Sequence, residues 1–165
     1  MAEHIHPIDI PARFYKPIGQ IIAGWNLTEA LISSIIWHVH GITDPKVGRL
    51  FTYRPNSVER LQIFLLSAQN HVSDSALRGT LCRMYGVANQ IRKERNNIAH
   101  GLWGRMPKEL SRWKVFYSRE ADDNNKSLLR RERKSLKDLT DLAARVRKLN
   151  IDLMTLMNKN KIPPP

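Results

Sequence analysis

Arg95-Asn96-Asn97-Ile98-Ala99-His100 stands near the end of a long run of helical periodicity, and its residue types can do chemistry. Counting 100° per residue, Leu77, Met84, Ala88, Ile91, Ile98, Ala99 and Leu102 fall within roughly 60° of Arg95. The guanidinium is therefore expected on the apolar stripe, where an uncompensated charge costs several kcal/mol, roughly. A cation in that place must be paired or used. Asn96 and His100 lie four residues apart and neighbour one another one turn along the helix. Gly101 follows as a helix stop, and Trp103 comes just after it. An arginine can hold a phosphate and an imidazole can move a proton near neutral pH.

Glu29 is the second charge out of place, with Ile22, Trp25, Ile32 and Ile36 around its angular position. It is expected to pair with Arg95 or another core-facing base, or to orient Arg95 toward a phosphate. Arg92 and Trp103 are further supporting positions beside the motif. His100 also fits a bland role, because a cation interacts well with a helix C-terminus. The run Arg130, Arg131, Arg133 and Lys134, with Lys137 beyond, is a candidate for tracking a phosphate backbone. It reads equally as a solvated helix entry.

No metal site is expected. The pairs His4/His6 and His38/His40 are spaced i, i+2, which on a helix diverges by about 160°. A lone Cys82 and no carboxylate cluster leave such a site without ligands. There is no glycine-rich phosphate loop and no serine-nucleophile elbow, so no cofactor is expected either.

These residues have to be positioned by a single domain of 165 residues, 42% hydrophobic, which is enough for one core. Net charge is +12, made up of +4 over residues 1–102 and +8 over 103–165. That surplus favours a polyanion, nucleic acid first. The N-terminus lacks the pattern of a secretion signal, and the apolar stretch around Ile35-Ile36-Trp37 is too short to span a bilayer. The chain reads as cytoplasmic, with no membrane partner.

Residues 1–12 read as an extended arm and 13–158 as one helical-bundle domain. The first helix runs from Arg13 to Val39, with Pro17 tolerated near its start and Gly41 and Pro45 stopping it. Asn56 or Ser57 caps a second helix, and Ser73 or Asp74 opens the third, which ends in the motif. Residues 101–126 form an insert in which Trp113, Val115 and Tyr117 alternate with Lys114 and Phe116, as a short strand does. Ser135 and Asp138 resemble a capping box before the final helix, and 159–165 reads as a flexible tail. The expected class is all-α, a four-helix-type bundle with an irregular or short β insert before the last helix.

Arg95, Asn96 and His100, with four residues between arginine and histidine, resemble the signature of the HEPN superfamily. Ile98-Ala99-His100-Gly101 and the nearby Trp103 are also typical of its prokaryotic members. The close likeness covers residues 92–104. It implies a metal-independent endoribonuclease, often part of a toxin–antitoxin or phage-defence system, acting on RNA as a homodimer whose two motifs share one cleft. An antitoxin protein is then a further partner. The resemblance also covers non-catalytic members that bind RNA or a partner protein.

Overall fold

The computed structural model describes residues 12–52, 55–100, 102–104, 113–118 and 129–165, the strands up to residue 133 by their backbone. It is mainly helical: α1 (Ala12–Val39), α2 (Pro45–Thr52), α3 (Ser57–His71), α4 (Ser75–His100) and α5 (Leu136–Lys159). Between α4 and α5 the backbone pairs as three antiparallel strands, β1 (Leu102–Gly104), β2 (Trp113–Ser118) and β3 (Leu129–Lys134), in the order β1-β2-β3. No helix among the described residues is long and apolar enough to cross a membrane.

Several helix boundaries have a local cause. Pro17 lies inside α1 and forgoes one ladder hydrogen bond. The helix ends where Gly41 turns to φ +65°, so that Ile42 N donates to Trp37 O (2.8 Å) and Gly41 N to His38 O (3.0 Å). This double closure is the Schellman motif, and the left-handed residue is most cheaply a glycine. Pro45 was expected only to stop a helix, but it also starts one. The Asp44 carboxylate accepts from Lys46 N at 2.8 Å, and a first-turn proline loses no intrahelical bond. Asn56 and Glu59 form a reciprocal capping box on α3. Asp74 accepts from Ala76 N and Leu77 N at the start of α4. Ser135 and Asp138 exchange bonds at the start of α5, and the two bonds from Ser135 hold the Asp138 carboxyl below its ordinary range.

Beyond α5 the chain makes a local closure within the segment 159–165. Lys161 takes φ 54°, Ile162 N donates to Met157 O at 2.9 Å, and the Ile162 side chain is buried. This is a second Schellman closure, with lysine in the glycine position.

The chain divides into two compact units, and α1, α4 and α5 each contribute to both. One comprises residues 1–22 and 93–144, the other 23–92 and 145–165. In the first, Phe14, Ile21, Ile98, Leu139 and Leu142 are buried. In the second, Trp25, Ile32, Ile35 and Ile36 of α1 are buried, as are Leu61 and Phe64 of α3, Leu81 and Ile91 of α4, and Leu153 of α5. Each such side chain contributes about 1.5–3 kcal/mol of transfer free energy. A polar clasp runs through this second core. Thr28 Oγ1 donates to Asn150 Oδ1 (2.6 Å), and Asn150 Nδ2 donates to the Gly24 carbonyl (2.8 Å). Gly24 lets α1 and α5 meet there, because a Cβ would stand 2.7 Å from Val146 Cγ1.

Candidate active site

The last two turns of α4 hold the motif. The stripe that placed Arg95 is real over most of its length: Ala88, Ile91 and Ile98 are buried, and Leu77 and Met84 half-buried. Ala99, expected on that stripe, is exposed. Arg95 is half-buried. Its Nη1 donates to Asn96 Oδ1 at 3.0 Å, while its Nε is buried with no partner. Its one hydrogen bond among the described residues is thus to a neutral amide, and no carboxylate among them pairs with it.

Asn96 is half-buried and His100 is exposed, the final residue of α4. By helical geometry Arg95 and His100 leave the axis about 140° apart, with Asn96 about 40° from His100. The bond to Asn96 draws the guanidinium round toward the histidine's side of the helix. Arg92 is engaged elsewhere, its Nε and Nη2 donating to Asn89 Oδ1 at 3.2 and 3.1 Å.

Glu29 pairs with a base other than Arg95. Arg60 Nη1 donates to Glu29 Oε2 at 2.9 Å, and Trp25 Nε1 (2.8 Å) and the Ser57 hydroxyl donate to Oε1. Arg60 also bonds the carbonyls of Thr52 and Pro55. The role of orienting Arg95 is therefore corrected: this carboxylate, engaged by three donors, ties α1 to α3. Sequence spacing could not select Arg60 because the pair forms across two helices.

Of the basic run, Arg130, Arg131, Arg133 and Lys134 fall on β3, while Lys137 lies in the first turn of α5. In backbone register Arg130 faces Tyr117, Arg131 faces Phe116, Arg133 faces Lys114 and Lys134 faces Trp113. Trp103 is opposite Val115. The side chains of Trp103, Arg130, Arg131 and Arg133, the arm with His4 and His6, and the Asp122–Asn125 loop lie outside the described residues. His40 meets Ser67 (Nε2 to Oγ, 2.9 Å) and the ring of His71, while no group of three His, Cys, Asp or Glu converges among the described residues.

Sequence reasoning missed a cavity in the second unit that includes Ser34, Trp37 and Arg49. Its one sequence signal is the pair Ser33-Ser34 interrupting an apolar run. The chain matches no protein-family model, no curated protein and no solved structure.

Proposed function

We propose that this chain is a metal-independent endoribonuclease of the HEPN type, acting on RNA as a cytoplasmic homodimer within a toxin–antitoxin or phage-defence system. The observation that carries the reading is Arg95, a half-buried guanidinium bound to an amide and not to a carboxylate. A cation paired with an acid is spent, whereas this one keeps its charge for an anion such as a phosphodiester. The four-residue spacing from Asn96 to His100 and the +12 charge support the same substrate.

In the proposed reaction His100 takes the proton of a ribose 2′-hydroxyl, whose oxygen attacks the adjacent phosphorus. Arg95 stabilises charge on the non-bridging oxygens, and Asn96 holds Arg95 toward them. The bond to the 5′-oxygen breaks, and that oxygen takes a proton from a protonated imidazole. The products are a 2′,3′-cyclic phosphate and a 5′-hydroxyl.

Arg95→Ala and His100→Ala are each expected to lower cleavage of a labelled single-stranded RNA in EDTA by about a hundredfold or more, the scale of one positioned donor or proton carrier. Helical circular dichroism should be unchanged. Wild-type rates in both variants would remove the assignment.

A second reading is favoured by the exposure of His100, which has no hydrogen bond among the described residues to fix its ring. Here the motif binds RNA or a partner protein without cutting. Under this reading the same RNA is shifted on a gel and stays intact.

A further inference from the structure

The second unit contains a cavity of about 870 Å³ between the C-terminal half of α1, α2 and the chain's last prolines, Pro163–Pro165. That volume lies in the range of small-molecule sites, about 300–1,000 Å³, and the cavity shares no residue with the Arg95–His100 motif. We propose that it binds a small aromatic acid, with the ring against Trp37 and the prolines and the anion beside Arg49.

Three features of the wall carry this. The first is a rigid aromatic surface. Trp37 Nε1 donates to Thr52 Oγ1 at 3.2 Å, and Gly48 lies so close to the indole that a Cβ there would stand 2.5 Å from ring carbons. The ring is thereby clamped by α2 at a fixed attitude. Proline rings and Ile42 extend the apolar lining.

The second is the charge balance. Glu29 also lines the cavity, but Arg60 neutralises it and the Trp25 and Ser57 donors occupy its other oxygen. Arg49, exposed on α2, has no ion pair among the described residues. Arg49 is therefore a cation at the cavity's exposed edge with no carboxylate partner among the described residues, and it favours an anion beside it.

The third is Ser34. Its residue lines the cavity and is 3% exposed, yet its hydroxyl has no hydrogen-bond partner. A helix serine ordinarily donates to the carbonyl four residues back, as Ser33 does to Glu29 O at 2.8 Å. Ser34 leaves that bond unmade. A buried polar atom without a partner is costly and rare in a folded core, and a turn of this side chain toward the cavity would let a ligand atom complete it.

The experiment titrates the full chain with 8-anilinonaphthalene-1-sulfonate, an aromatic anion, and separately with N-phenyl-1-naphthylamine, its uncharged counterpart. The expected result is one saturable site for each dye. Arg49→Glu should weaken the anionic dye by about tenfold, the scale of one charge-assisted contact, and leave the neutral dye unchanged. Ala30→Phe, which fills the cavity from α1, should abolish both. Absence of saturable binding overturns the proposal. So does an Arg49→Glu variant that binds the anionic dye like wild type or loses both dyes together. Because Arg49 is on the surface of α2, that variant keeps the test decisive if Ala30→Phe does not fold.

Discussion

His40 and His71 place two imidazoles 4.5 Å apart between ring centroids, with His40 Nε2 bound to the Ser67 hydroxyl. Partial desolvation, and secondarily a cationic His71, lower the His40 pKa below its ordinary 6.5. The unfolded chain then binds a proton that the folded chain refuses, over the interval between 6.5 and the lowered folded value. This contribution to stability is whole above about 6.5 and is lost as pH falls through that interval. The melting temperature is therefore expected to drop between pH 7 and pH 5, followed by circular dichroism. His40→Gln should flatten the drop most, and His71→Gln less, because burial outweighs the neighbouring charge. An unchanged slope in His40→Gln would refute the coupling. Spacing alone reads what is local to one helix. Arg95 is identifiable from sequence because its stripe is local to one helix, so its half-burial follows from Ala88, Ile91 and Ile98. The partner of Glu29 is not, since Arg60 meets it across the fold, and neither is the orphaned Ser34 hydroxyl.

Helix ends account for most of the legible fold. Asn56 with Glu59 and Ser135 with Asp138 are reciprocal caps whose residues sit three apart, so their signal survives without tertiary context. Proline carries two meanings, and only the preceding Asp44 separates a stop from a start. That is why α2, eight residues long, was hidden behind Pro45. The closure that follows α5 is hidden from the sequence for a related reason. A lysine at a left-handed position carries no glycine signal, though Lys161 closes α5 as Gly41 closes α1. The two closures differ in cost: a side chain in the left-handed region costs about 1–2 kcal/mol, part of which glycine gives back through the entropy of the unfolded chain. Lys161→Gly is expected to stabilise the protein by about 0.5–1 kcal/mol, raising the urea midpoint with the slope unchanged. Gly41→Ala should move it the other way. If Lys161→Gly lowers the midpoint, the terminal closure contributes nothing to the native state.

Scaled to the whole molecule, the geometry of α4 sets a condition on the proposed nuclease. Arg95 and His100 of one chain leave the helix about 140° apart, so unless the bond to Asn96 brings the guanidinium all the way round, one phosphodiester is gripped by the arginine of one protomer and the histidine of its partner. A two-fold axis beside the end of α4 supplies that pairing twice over. The condition has a test that loss of activity alone cannot give. Arg95→Ala and His100→Ala homodimers, each inactive, are mixed and allowed to exchange subunits. A heterodimer has one site with both intact residues if the site is shared between chains, and none if each chain works alone. Random exchange makes half the dimers heterodimers with one of two sites restored, so about a quarter of wild-type cleavage is expected to return under a two-fold symmetric arrangement. The recovery should weaken steeply with salt, as contact between a +12 chain and a phosphate backbone must. If exchange is verified by mass and no cleavage returns, the shared cleft is excluded, and Arg95 would have to serve the His100 of its own helix through Asn96.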